Sequence, residues 1–176
     1  MRTALDTNIL SPILSAAPES KEIIVQLLTV RSEGALVISG PVFVELSAVP
    51  GINFERTEET LREISVAIDF DLGEDVWRLA ANRFSAYANR RRRSGGGQTK
   101  RLLADFVIAS HALLQADRLM TRDASRYSQD FPNLRLIRGN VETAAHGCLS
   151  SEARLVRYGI SSSFPAIFRA SMSRCA

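Results

Sequence analysis

Short apolar segments recur along this chain, and four of them meet a carboxylate at their margin. Asp6 closes Thr3-Ala4-Leu5, Glu45 follows Val42-Phe43-Val44, Asp105 follows Leu102-Leu103-Ala104, and Asp123 ends Leu119-Met120-Thr121-Arg122. An ionised carboxylate at the edge of a core is costly unless it is paired or binds a metal. One such residue means little. Four, spread over the chain, demand a fold that gathers the ends of distant segments into one acidic pocket. Carboxylates are the natural ligands of Mg²⁺ or Mn²⁺.

The segments alternate in type. Residues 2 to 5 read as a short buried strand, and Asp6, Thr7 or Asn8 starts the next helix, in which Pro12 fits only near the first turn. Ile23, Ile24, Leu27 and Leu28 give residues 19 to 30 helical spacing, and Gly34 is a helix stop. A strand over 35 to 39 precedes a helix with Pro41 at its first position and Glu45 beside its apolar stripe. Helices over 57 to 66, 74 to about 92 and 100 to 115 follow, with strands over 67 to 72, 118 to 121 and 134 to 138. Asp123 opens a short helix or turn. Strands alternating with helices predict an α/β sandwich in which helices flank a mainly parallel sheet. Ligands of such sheets bind at the carboxyl ends of the strands, where Asp6 and the Thr121–Asp123 turn fall.

The chain of 176 residues is long enough for one domain with a sizeable core. No apolar run approaches the roughly 20 residues needed to cross a bilayer. Arg2 and the apolar stretch after it loosely imitate a signal peptide, but Asp6, Asn8 and Pro12 interrupt it. Cys148 and Cys175 both lie near the C-terminus, so no disulfide framework holds the body, and a cytoplasmic location is expected. The net charge of +3 belongs to the tail: residues 1 to 145 carry 18 basic and 18 acidic side chains. Residues 146 to 176 carry Arg154, Arg157, Arg169 and Arg174 against Glu152, with serine clusters and no clear period. The expected division is a compact domain over 1 to 145 and a weakly ordered or loosely docked tail over 146 to 176.

Asp6, Glu45, Asp105 and Asp123 are the candidate catalytic residues, with Asp6 and Asp105 as metal ligands. A hard cation held by a few carboxylates keeps several waters, and one such water deprotonates readily enough to attack a phosphodiester. Thr7, Asn8 and Thr121 can orient the carboxylates, although Thr7 and Asn8 serve equally well as helix caps. Arg90, Arg91, Arg92 and Arg93, then Gly95-Gly96-Gly97, then Lys100 and Arg101 put six positive charges within twelve residues. They read either as a solvated helix end or as a clamp for RNA phosphates. No aromatic residue interleaves them, and no Gly-Lys-Ser/Thr follows the glycines. His111 and His146 have no partner at ligand spacing and read as structural. Trp77 reads as core or interface.

Four segments resemble the PIN-domain family, in particular the VapC-type ribonuclease toxins of bacterial toxin–antitoxin pairs. They are LDTNIL at 5 to 10, GPVFVEL at 40 to 46, LLADFVIASHALL at 102 to 114 and RLMTRD at 118 to 123. Each alone is weak, but together, in this order, they are fairly specific over residues 1 to 140. The resemblance implies a PIN-like three-layer sandwich and a metal-dependent endoribonuclease with an RNA substrate. It also implies a homodimer and a small antitoxin partner that fills an apolar groove and blocks the acidic site. Two other classes remain open. A phosphotransfer protein of haloacid-dehalogenase or receiver type also places acids at parallel strand ends, but the former needs an Asp where Asn8 stands. A PIN-like RNA-binding module without catalysis is the other, and the presence of all four acids argues against it.

The tail reading has a direct test. A chain ending near Thr143 is expected to fold and to melt within a few degrees of the full chain. An insoluble or unfolded product would place the tail in the core, where each lost Leu, Ile or Phe side chain costs roughly 2–5 kcal/mol.

Overall fold

The computed structural model describes residues 1–95 and 102–139. Lys100, Arg101, Gly96, Gly97, His146, both cysteines and the 146–176 segment lie outside the described residues. Five parallel strands form one sheet: β1 (Arg2–Leu5), β2 (Ala35–Ser39), β3 (Val66–Asp69), β4 (Arg118–Thr121) and β5 (Leu136–Arg138). Around them lie α1 (Thr7–Leu14), α2 (Ser20–Ser32), α3 (Gly40–Ser47), α4 (Phe54–Glu63), α5 (Glu74–Arg93), α6 (Leu103–Gln115) and α7 (Ser125–Ser128). The strand order is β3-β2-β1-β4-β5, so this is the predicted α/β sandwich on a parallel sheet. None of the described helices is long and apolar enough to cross a membrane.

Burial along the strands follows their place in the sheet. β1, β2 and β4 are central, and Thr3 to Leu5, Leu36 to Ser39 and Arg118 to Thr121 are all buried. Such strands are covered on both faces, which is why they read as continuous apolar runs rather than alternating ones. β3 and β5 are edges, and only Val66 among their residues is fully buried. The chain builds outward from β1 to β2 and β3, then returns to the other side of β1 for β4 and β5. The order therefore reverses at β1 and β4, and a crevice opens beyond their carboxyl ends.

Several boundaries differ from the sequence reading: α4 begins at Phe54 rather than 57, β3 ends at Asp69 rather than 72, α6 begins at Leu103 rather than 100, and β5 begins at Leu136 rather than 134. The helix expected over 57 to 66 is α4, and it stops at Glu63 because Ser65 takes a left-handed conformation, φ +55°. Val66 is thereby released to begin β3, one residue earlier than expected. Pro12 sits at the sixth position of α1, past the first turn. Its missing N–H and its ring are tolerated in part because α1 ends two residues later, and the Ala17 N–H bonds the Pro12 carbonyl at 2.9 Å.

Phe106 of α6 is fully buried among Phe84, Tyr87 and Phe131, with ring centroids 5.2, 5.5 and 6.2 Å away. A phenylalanine in such a setting contributes roughly 3–5 kcal/mol relative to alanine. The cluster ties α5 and α6 to the segment just after α7. Trp77 is not part of the core, as it is 49% exposed on α5.

His111 is structural, as expected. It is buried on α6, and its Nε2 lies 2.7 Å from Asp69 Oδ2, while Arg2 bonds the same carboxylate at 2.6 Å. Burial is the larger influence and lowers the imidazole below its ordinary range, against the pull of Asp69. The unfolded chain therefore takes up a proton that the folded chain resists, so stability declines as pH falls below about 6.5. His111→Gln keeps the reach toward Asp69 without a titrating ring. Its melting temperature is expected to fall less between pH 7.5 and pH 5.5 than that of the parent chain. An equal fall in both proteins would remove His111 as the source.

Candidate active site

Each acidic side chain reaches the crevice by a different route. Asp6 is the residue after β1, held there by its own N–H bonding to the Met120 carbonyl of β4 at 3.0 Å. It stands at the N-cap of α1 but its side chain does not cap the helix. The carboxylate instead takes three side-chain donors on Oδ2: Thr121 Oγ1 at 2.7 Å, Asn8 Nδ2 at 2.9 Å and the Tyr127 hydroxyl at 2.9 Å. Asn8 also donates to Thr121 Oγ1 at 3.1 Å and accepts the Arg122 N–H on Oδ1 at 3.0 Å. The end of β1, the start of α1 and the end of β4 are thus joined through one carboxylate.

Asp105 lies in the first turn of α6, where the helix dipole favours an anion. Helices of a parallel α/β fold run back against the strands, so the start of α6 comes to the carboxyl edge of the sheet. Glu45 projects from α3, the helix that follows β2, and accepts a hydrogen bond from the Thr7 hydroxyl. Asp6 and Asp105 are only 4% and 6% exposed, and Glu45 is half-buried.

The three carboxylates feel one another. Burial raises the Asp6 carboxyl above its ordinary value, and the charge of Asp105 raises it further; the bonds from Thr121 and Tyr127 act in the opposite sense. Burial also raises Glu45, the Thr7 bond opposes it, and the charges of Asp6 and Asp105 add to the rise. The Tyr127 hydroxyl is pushed far above its usual range, first by burial and then by Asp6 and Asp105, so it remains a donor.

Asp123 is more exposed than Asp6 and Asp105. Its side chain is 48% exposed, it accepts from Ser125 Oγ at 2.5 Å, and its N–H bonds Thr121 Oγ1 at 3.1 Å. Arg126 connects it to the others: Nη2 lies 3.3 Å from Asp105 Oδ2, and Nε lies 3.8 Å from Asp123 Oδ2. Arg126 and Tyr127 escaped the sequence reading. The available signal was helical spacing, since they stand three and four residues after Asp123.

The arginine run ends α5. Arg90 pairs with the buried Asp130, which brings this end of α5 beside α7. Arg92 donates to Asn89 Oδ1 at 2.7 Å, and both Arg92 and Arg93 are exposed. Arg90 is therefore committed to a protein carboxylate in a way that Arg92 and Arg93 are not.

Among the described residues no three His, Cys, Asp or Glu side chains form a ready-made metal cage. A hydrated Mg²⁺ needs less, because it keeps several waters and takes one or two carboxylates from the protein. Two buried carboxylates near enough for the charge of Asp105 to act on Asp6, with oxygen as the donor atom, are the donor set of a hard cation. Asp6 and Asp105 fit that role, with Glu45 beside them.

Comparison with known proteins bears on the fold and the family. No significant match was found among curated proteins. The fold is similar to a chain of VapBC2 from Rickettsia felis, in a crystal structure bound to a DNA fragment from its promoter. That match has a TM-score of 0.53 and 22% identity, and covers 78% of this chain and 98% of the other. It is also similar to a chain of VapBC-1 from nontypeable Haemophilus influenzae, with a TM-score of 0.52, 23% identity, and coverage of 79% and 98%. A family model for the PIN domain matches residues 3–131, a span that holds Asp6, Glu45, Asp105 and Asp123, and the chain belongs to the PIN-domain family.

Proposed function

We propose that this protein is a divalent-metal-dependent endoribonuclease of the VapC toxin type, held inactive by a small antitoxin. The observation that carries the proposal is the convergence of Asp6, Glu45 and Asp105, from three distant segments, at the switch point of a parallel sheet. Family membership supports the nuclease chemistry, and the likeness to chains of VapBC complexes supports a toxin with a protein partner.

In this reading Asp6 and Asp105 hold Mg²⁺ or Mn²⁺. When bound, such an ion neutralises charge developing on a phosphodiester and eases deprotonation of water. Thr121, Asn8 and Tyr127 fix the orientation of Asp6, so one ligand is set before any ion arrives. Glu45, raised toward neutrality by burial, is the carboxylate suited to accept a proton from the attacking water. Thr7 holds its Oε2 in place. Asp123 steadies Arg126 at the mouth of the site.

RNA is held by the basic end of α5 and by Lys100 and Arg101. Arg92 and Arg93, exposed at the end of α5, are its principal contacts there, with Arg91 beside them, and Arg90 contributes least because Asp130 engages it. Exposed apolar side chains such as Val44, Phe54, Phe70, Leu102 and Leu103 suit contact with an antitoxin or with a second copy in a homodimer. A toxin of this kind acts on RNA in the cytoplasm.

Purified protein incubated with total cellular RNA and Mg²⁺ or Mn²⁺ is expected to generate discrete new 5′ ends. Asp6→Asn and Asp105→Asn should abolish them with the fold intact by circular dichroism, and Glu45→Gln should slow cleavage by about 100-fold or more. Full cleavage by a folded Asp105→Asn protein would refute the assignment. If no variant or condition yields cleavage while RNA still binds, the protein is a PIN-like binding module instead.

The basic end of α5 is tested by affinity rather than rate. Arg92→Gln with Arg93→Gln should weaken RNA binding. It should also flatten the slope of log K against log salt by roughly 0.7 for each phosphate that is no longer neutralised. An unchanged slope would reduce these residues to a solvated helix end.

A further inference from the structure

We propose that the Arg126 guanidinium is a built-in counter-cation of the acidic site. It competes with a divalent ion for Asp105 and so sets the metal concentration that the site requires. The inference rests on the metal-dependent reading above and adds to it a residue of this chain that tunes the same site.

The geometry is specific. Arg126 Nη2 stands 3.3 Å from Asp105 Oδ2, and Nε stands 3.8 Å from Asp123 Oδ2. The two carboxylates come from different elements, the first turn of α6 and the turn between β4 and α7. The charge of Arg126 also acts on Glu45 and on Tyr127. One guanidinium thus answers the negative charge of several acids at once, which is the task a metal ion would perform there.

Its anchorage is just as particular. The next residue, Tyr127, is buried and donates to Asp6 at 2.9 Å. Further along, Asp130 is buried and paired with Arg90, and Phe131 lies in the aromatic cluster with Phe106. The backbone that carries Arg126 is therefore fixed, while its side chain is still 38% exposed. A long side chain on a fixed backbone can hold Asp105 or swing into solvent without disturbing the fold. Arginine also keeps its charge at every workable pH, so the competition does not lapse as pH rises.

The two cations cannot share the same face of Asp105. The apparent metal affinity is the intrinsic affinity reduced by the fraction of molecules in which Arg126 has moved away. An arginine in place most of the time would weaken metal binding on the order of three- to tenfold.

The test is Mn²⁺ titration of the full chain by calorimetry, comparing the parent with Arg126→Gln and Arg126→Lys. We expect Arg126→Gln to bind Mn²⁺ about three- to tenfold more tightly. Arg126→Lys, which keeps the charge but not the planar fork, should fall between the two. Without metal, Arg126→Gln should melt at a lower temperature than the parent, and Mn²⁺ should raise its melting temperature by more. Equal or weaker Mn²⁺ binding by a folded Arg126→Gln protein would overturn the inference and leave the metal site standing. Absence of Mn²⁺ binding in all three proteins would remove the metal site and this inference with it. A second measurement needs no variant: the ¹⁵N signal of Arg126 Nε should shift on saturation with Mg²⁺, and an unmoved signal would also overturn the proposal.

Discussion

Burial of carboxylates at the edge of a core, with like-charge repulsion added to it, is the constraint around which this structure is arranged. Asp6 and Asp105 are almost wholly buried and Glu45 half so, and each proximity raises the free energy of the ionised set. Hydrogen bonds from Thr121, Asn8 and Tyr127 offset part of that penalty at Asp6, and Thr7 does so at Glu45. The helix dipole at the start of α6 helps Asp105, and Arg126 brings a full positive charge. None of these removes the surplus of negative charge. On the proposed reading, a bound cation would offset that surplus.

The sheet makes the arrangement possible. Reversal of strand order at β1 and β4 leaves a crevice that neither neighbouring crossover covers, and the residues just past those strands face each other across it. Asp6 and Thr121 meet there, 115 positions apart in sequence. The short helix α7 then matters beyond its length. It delivers Tyr127 to Asp6 and Arg126 to Asp105, and it is held from behind by the Arg90–Asp130 pair and the aromatic cluster. Part of the arginine run thus anchors the site.

Much of this was legible in the chain because it is written locally. The central strands are buried on both faces and read as apolar runs, and the acids that close those runs fall at strand ends by construction. Asp6 and Thr121 could be placed for that reason, whereas Asp105 was legible from the apolar helix whose first turn it occupies. What pattern could not reveal are pairings made by tertiary approach: Arg2 and His111 with Asp69, Arg90 with Asp130, and Arg126 with Asp105. Asp123 looked equivalent to the other acids in sequence, yet it is half exposed, because the turn after β4 carries it outward past Thr121. The end of α4 was misplaced because a single left-handed residue, Ser65, decides it, and serine carries no strong signal for that conformation. Trp77, read as core or interface, is half exposed, and size alone cannot tell a buried side chain on a helix from a surface one.

The central claim is that the acidic side chains form one electrostatic unit suited to a divalent cation. A double-mutant cycle on unfolding free energy tests it most directly, with Glu45→Gln, Asp105→Asn and the double variant measured by denaturant titration in EDTA. We expect a repulsive coupling between the two native carboxylates, on the order of 0.5 kcal/mol or more, which turns favourable when saturating Mn²⁺ replaces EDTA. Strictly additive effects in both conditions would contradict the claim, because they would mean that Glu45 and Asp105 do not act on one another or on a shared ion.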